Sequence, residues 1–146
     1  MIGTDAHAWT QVLNVNLVST ALLARALLPE MERANGSIVN VTSIAGSRVH
    51  PFAGVAYAAS KAGLAALTRE MAHEFGGRGV RANAIAPGEI ETSILSPGTD
   101  ALVAAEVPMG RLGNPAEVAS TIYFLCSDAS SYINGAEIHI NGGQHV

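Results

Sequence analysis

The sequence has little charge, few aromatic side chains and a single cysteine. Of its 146 residues only 14% are charged and 5% are aromatic, whereas 49% are apolar. A disordered chain combines low hydrophobicity with high charge, so this composition excludes intrinsic disorder. The lone cysteine, Cys126, excludes an internal disulfide and is typical of a reducing compartment. It stands in an apolar helical stretch and is expected to be a core residue. We therefore expect one globular domain over residues 1–146, in the cytoplasm.

Other absences exclude several classes of function. The net charge is −4 and the few Lys and Arg residues are scattered, which argues against a nucleic-acid partner. No apolar run reaches the roughly 18 residues of a membrane span, and no basic region precedes an apolar one at the N-terminus. The five histidines lack the paired spacing of a metal site. No G-x-S-x-G occurs, which excludes the nucleophile turn of an α/β-hydrolase.

Helices and strands are predicted to alternate along the chain. Residues 37–42 (SIVNVT) are β-branched and almost free of charge, which indicates a buried strand. Asn114, Pro115 and Glu117 form a strong helix start, and Gly36 is expected to end the first helix in the left-handed conformation. In order, the predicted elements are a helix from Ala6 to Arg33 bent near 14–16, strand 37–42, loop 43–54, helix 55–75, strand 80–86, a mobile segment 89–110 with a short helix near 99–107, helix 115–126 and strand 136–140.

This α-β-α-β-α-β order predicts a parallel sheet with right-handed crossovers. Three strands make half of a doubly wound sheet, so one sheet edge is expected to be open. The low charge of the Ala- and Leu-rich helices favours cover on more than one side, by the sheet and by a partner subunit.

Tyr57 and Lys61 are the most informative polar pair. They stand four positions apart at the start of a predicted helix, so their side chains share one face. An ammonium group favours the phenolate form of a nearby tyrosine, which makes such a pair a sound proton-transfer unit. The spacing alone also fits two surface residues, and Ser43 alone after a strand also fits a simple turn residue.

Five motifs in a fixed order resolve this ambiguity. The chain resembles the C-terminal part of the short-chain dehydrogenase/reductase family, and the resemblance covers essentially its whole length. The resemblance implies an α/β fold that is the C-terminal half of a Rossmann-like doubly wound parallel sheet. The motifs that carry it are NVNL at 14–17, VTS at 41–43, YAASK at 57–61, NAIAPGEIET at 83–92 and GAEIHINGG at 135–143.

The resemblance also implies roles for the matching residues. Tyr57 would be the general acid/base, and Lys61 would support it and bind the nicotinamide ribose. Ser43 would hold the substrate oxygen, and Asn16 would support a proton relay through water to Lys61. The segment along the nicotinamide would include Pro87, Gly88, Ile90 and Thr92, and the stretch after it would be a substrate lid.

The function implied is NAD(P)-dependent interconversion of a secondary alcohol and a ketone, by a homodimer or homotetramer. No metal, nucleic-acid or membrane partner is expected. The glycine-rich turn that receives a dinucleotide pyrophosphate follows no predicted strand here. Two hypotheses therefore stand: an oxidoreductase whose nucleotide-binding half lies outside these 146 residues, or a truncated, inactive remnant acting as a structural or interaction partner.

Overall fold

The structure, a computed structural model, describes residues 3–93 and 95–146, so Ile94 of the predicted mobile segment lies outside it. Three parallel strands form one sheet: β1 (Ser37–Val41), β2 (Arg81–Pro87) and β3 (Glu137–Ile140). Their order is β1-β2-β3. The predicted parallel α/β sheet is confirmed, and among the described residues no strand pairs with the outer edge of β1.

The helices match the predicted order closely. The first helix is continuous, but the predicted bend is a π-helical turn, in which the hydrogen bonds span one residue more than in an α-helix. The helices are α1 (Ala6–Leu13), the π-helical turn (Asn14–Val18), α2 (Ser19–Arg33), α3 (Val55–Gly76), α4 (Thr99–Glu106) and α5 (Pro115–Cys126), with 3-10 turns at Ile44–Gly46 and Asp128–Ser130.

The end of α2 differs from the prediction. Asn35, not Gly36, takes the left-handed conformation, with φ of 48°. Gly36 is needed for a different reason, because a Cβ there would lie 3.0 Å from Cβ of Met31. Its glycine therefore allows the chain to pass close to the helix on its way into β1.

β2 is the centre of the core. Residues 82 to 86 are fully buried, since helices cover both faces of the strand. On one face a cluster joins α2, α3 and the start of β2, and on the other Leu125 of α5 is fully buried. The cluster consists of Ala24, Leu28, Met71, Ala72, Phe75, Val80 and Ala82.

One expectation about an apolar segment was wrong. Cys126, expected in the core, is exposed at the end of α5. The stretch Ala6–Arg33 is long and apolar enough to cross a membrane by length and composition, which is weak evidence because core helices of soluble proteins pass the same test. Its outer face exposes large apolar side chains: Val15, Val18, Leu22, Leu23 and Leu27.

The start of α5 is held by a capping box. The Asn114 side chain accepts from the Ala116 N–H at 2.8 Å, and Glu117 Oε2 accepts from the Asn114 N–H at 2.7 Å. Arg111 donates to both carboxylate oxygens of Glu117, at 2.9 and 2.7 Å. The hydrogen bonds from Arg111 and then from Asn114 lower the pKa of Glu117 to about 2.

Replacing Arg111 by Gln should raise the pKa of Glu117 towards its ordinary value of 4.5, because the main cause of the low value is removed. Since the folded-state pKa is depressed, the stability from this contact is complete above pH 4.5 and lost as the pH falls through about 2. Carbon-13 NMR titration of the carboxyl group measures the value. Arg33→Gln, in the separate exposed pair with Glu30, is the matched control and should leave Glu117 unchanged. A value near 4.5 in the unmodified protein would contradict the prediction.

Candidate functional site

A cavity of about 770 Å³ opens at the carboxyl ends of β1 and β2. Ligands of open α/β sheets bind at this end of the strands. All the predicted site residues except Asn16 line this cavity: Ser43, Tyr57, Lys61, Pro87, Gly88, Ile90 and Thr92. The structure thus brings together residues from the loops after both strands and from the start of α3.

Tyr57 and Lys61 lie one turn apart at the start of α3. Lys61 Nζ is 5.5 Å from the centroid of the Tyr57 ring, and Tyr57 is 38% exposed. Lys61 Nζ also donates to the carbonyl oxygen of Val41 at 2.8 Å, which ties the helix to the end of β1. Partial burial lowers the pKa of Lys61. The phenol and the ammonium therefore share the cavity wall.

Ser43 stands where β1 gives way to the 3-10 turn. Its Oγ accepts from the Ala45 N–H at 3.2 Å, so Ser43 caps the turn. The hydroxyl hydrogen is not used in that contact and can be donated into the cavity. Ser43 is thus a turn residue and a candidate ligand-binding donor at once.

Gly46 brings this turn against α3. A Cβ at position 46 would lie 2.9 Å from the backbone nitrogen of Ala62 and 2.9 Å from the carbonyl carbon of Lys61. Backbone atoms cannot rotate away as a side chain can. Only glycine therefore allows Ser43 and Lys61 to stand at their present separation.

Asn16 lies outside the cavity wall but contacts the same helix. Its Nδ2 donates to Ser60 Oγ at 3.0 Å, and Ser60 Oγ donates in turn to the carbonyl oxygen of Tyr57 at 2.7 Å. Ser60 is fully buried. Asn16 is thus joined to the Tyr57–Lys61 segment through a buried hydroxyl.

The segment after β2 has a fixed backbone. The Gly88 N–H donates to the Ile140 carbonyl at 3.0 Å, and Gly113 exchanges hydrogen bonds with Glu89 and Glu91 at 2.9 and 2.8 Å. A Cβ on Gly88 would lie 2.6 Å from Cβ of Asn141, so glycine is required for this packing. These contacts hold one wall of the cavity in place.

Sequence reasoning missed a second polar pair in this wall. His50 Nε2 lies 2.5 Å from Glu89 Oε1, and both residues line the cavity. The two positions are 39 apart in sequence, so no local pattern connects them. In residues 3–93 and 95–146 no group of three or more His, Cys, Asp or Glu side chains could hold a metal ion.

Comparison with known proteins identifies similar chains. The sequence model of a family described as enoyl-(acyl carrier protein) reductase matches residues 1–145. Protein FixR of Bradyrhizobium diazoefficiens is 61% identical over 99% of this chain and 52% of its own length. The 3-oxoacyl-[acyl-carrier-protein] reductase FabG of Thermotoga maritima is 44% identical over 98% of this chain and 59% of its own.

The fold is similar to that of solved reductases. A 3-oxoacyl-[acyl-carrier protein] reductase of Brucella melitensis with bound NAD superposes with a TM-score of 0.93 at 37% identity, over 100% of this chain and 55% of that one. The chain thus spans little more than half the length of these relatives.

Gly46→Ala should destabilise the protein by about 1–3 kcal/mol, because the added methyl group forces the turn away from α3. Urea unfolding measures the loss. Gly77→Ala is the matched control, since nothing lies within 4 Å of a Cβ there, and it should leave stability nearly unchanged. Equal stability of the two variants would show that the turn does not press against Lys61 in solution.

Proposed function

This chain belongs to the short-chain dehydrogenase/reductase family, and we propose that it interconverts a secondary alcohol and a ketone with NAD or NADP. The observation that carries the proposal is the shared cavity of Ser43, Tyr57 and Lys61. A proton donor, a hydrogen-bond donor and a cation that line one cavity are what this reaction needs.

Tyr57 is the proposed general acid/base. In the oxidation direction its oxygen accepts the proton of the substrate hydroxyl, and in reduction it returns a proton to the carbonyl oxygen. Ser43 holds that oxygen through its free hydroxyl hydrogen. Lys61 supports the phenolate by its positive charge, at 5.5 Å from the ring centroid.

Asn16 is proposed to support a proton relay through water to Lys61. The hydrogen bond from Asn16 to Ser60 places it beside the helix segment that carries Tyr57 and Lys61. Its contact with this helix from outside the cavity wall supports that role.

The residues present fit the nicotinamide end of the cofactor. Lys61 Nζ has three donor hydrogens, and among the described residues Val41 O is its one hydrogen-bond acceptor, which leaves donors for ribose hydroxyls. Pro87, Gly88, Ile90 and Thr92 line the wall along which the ring would lie, with Thr92 and the Ile90 backbone near its carboxamide. When bound, the nicotinamide supplies the hydride transfer.

The residues present do not provide the pyrophosphate site. In the part of the chain that the structure describes, no strand leads through a glycine-rich turn into a helix N-terminus of the kind that receives the pyrophosphate. We therefore propose that the complete cofactor site, the substrate and the choice between NAD and NADP depend on residues beyond these 146.

We propose a homodimer or homotetramer in the cytoplasm for the full-length protein. The support is the exposed apolar face of α1, the π-helical turn and α2, where Val15 is 64% and Leu23 is 60% exposed. A patch of this kind marks an interaction surface.

The substrate lid is proposed to be the stretch of residues 93–110, which contains α4.

Tyr57→Phe in the protein encoded by the full reading frame should lower kcat by about 100-fold or more, because the proton donor is removed. The affinity for NAD(P)H, measured by fluorescence titration, should stay nearly unchanged. Tyr132→Phe, at a fully exposed tyrosine, is the control and should retain full activity. Comparable turnover in the Tyr57 variant would overturn the assignment.

The chain of 146 residues on its own should not bind NADH or NADPH at micromolar concentration, because its described residues provide no pyrophosphate site. Isothermal calorimetry measures this, with the protein of the full reading frame as the positive control. Micromolar binding by the chain alone would show that it contains a working cofactor site. Absence of binding by both would favour the alternative function as a structural or interaction partner.

A further inference from the structure

Two polar side chains that the proposed proton transfer does not use meet in the wall of the same cavity. His50 comes from the loop between β1 and α3, and Glu89 follows β2. The side chains are each 10% exposed, and Nε2 of His50 lies 2.5 Å from Oε1 of Glu89. A carboxylate so little exposed needs hydrogen-bond partners or a counter-charge.

The imidazole supplies a hydrogen bond to Glu89. The Phe52 N–H donates to Nδ1 of His50 at 3.3 Å, so Nδ1 carries a lone pair. The ring hydrogen then resides on Nε2 and is donated to Glu89 Oε1. The imidazole therefore orients the carboxylate through Oε1.

The position of Glu89 is fixed by its backbone. Its carbonyl oxygen accepts from the Gly113 N–H at 2.9 Å, and the preceding Gly88 N–H donates to Ile140 at 3.0 Å. The Glu89 side chain is thus held at its backbone by these hydrogen bonds and at its carboxylate by His50. Preorganisation of this kind favours ligand binding, because little conformational freedom is lost.

The second carboxylate oxygen of Glu89 is available to a ligand. Within the described ranges no protein donor bonds to Oε2. Glu89 also borders a smaller cavity, whose Arg111 is held by Glu117 at 2.7 and 2.9 Å. Glu89 thus lines both cavities, and His50, to which it is bonded, lines the larger one.

The charges around the larger cavity decide what the free oxygen would bind. Lys61 is the one Lys or Arg among the residues described as lining it, and its Nζ donates to the Val41 carbonyl oxygen. In the part of the chain that the structure describes, no Lys or Arg forms an ion pair with Glu89. A ligand that carries a positive charge would balance this carboxylate.

We propose that Glu89, oriented by His50, binds a protonated amine of the substrate, so that the enzyme prefers amino alcohols and amino ketones over hydroxy or keto acids. The substrate class rests on the proposed function, whereas the amine site itself does not. An ammonium group would donate to Oε2, and a carboxylate in its place would be repelled by Glu89 and denied a donor. Glu89 is a specificity-determining residue in this proposal, and His50 positions it.

The test compares three small alcohols of similar size: 1-amino-2-propanol, 1,2-propanediol and 3-hydroxybutyrate. Binding of each is measured by NMR in the NAD-loaded Tyr57→Phe protein of the full reading frame, and kcat/KM is measured in the protein with Tyr57 intact. Glu89→Gln keeps the shape and the acceptor for His50 but removes the charge. Glu91→Gln, an exposed acid two positions on that does not line the cavity, is the matched control.

We expect the amino alcohol to bind most tightly, and Glu89→Gln to weaken its binding by about 10-fold or more while improving that of 3-hydroxybutyrate. The Glu91→Gln variant should change neither. The NMR measurement separates this inference from the proposed function. Glu89-dependent amine binding without turnover of any alcohol would support the amine site and contradict the reaction.

Two other outcomes would overturn the amine site. One is an equal loss of binding of all three alcohols in Glu89→Gln, which would show that the His50–Glu89 pair only holds the two loops together. The other is that none of the three binds, or that 3-hydroxybutyrate binds best. Turnover with unchanged preference in Glu89→Gln would leave the reaction in place and exclude Glu89 from specificity.

Discussion

The hydrogen bond from Lys61 Nζ to the Val41 carbonyl, 2.8 Å long, joins the carboxyl end of β1 to the second turn of α3. The candidate catalytic geometry depends on this junction. Ser43 begins the turn that leaves β1, and Tyr57 stands one helical turn before Lys61. Because Gly46 has no side chain, the turn lies directly against the backbone of Lys61. A polar group on a loop and two on a helix are thereby held at one cavity.

The π-helical turn at Asn14–Val18 supports this junction from behind. Such turns shift the register of a helix by one residue and often occur at functional sites. Here the turn contains Asn16, whose side chain reaches the buried Ser60 on α3. The apolar first helix thus has two faces with different tasks: one contacts α3 and the other exposes Val15 and Leu23.

The sequence alone predicted those structural features that depend on residues close together in the chain. Asn114, Pro115 and Glu117 predicted the start of α5, since a cap depends on neighbours three or four positions apart. Residues that line the cavity were named from motifs whose order carries the family resemblance. The His50–Glu89 pair was missed because its members are 39 positions apart and meet only through the parallel pairing of β1 with β2. Cys126 was misplaced because an apolar stretch of helix does not indicate which of its faces is covered.

The most direct test of the account is a crystal structure of the protein of the full reading frame with NAD bound. The account predicts that the nicotinamide ring lies along Pro87, Gly88, Ile90 and Thr92, with its ribose hydroxyls within hydrogen-bond distance of Lys61 Nζ. The reacting ring carbon and the Tyr57 hydroxyl would then face one common position for the substrate. A nicotinamide bound away from this cavity, or a ribose that does not contact Lys61, would contradict the central claim.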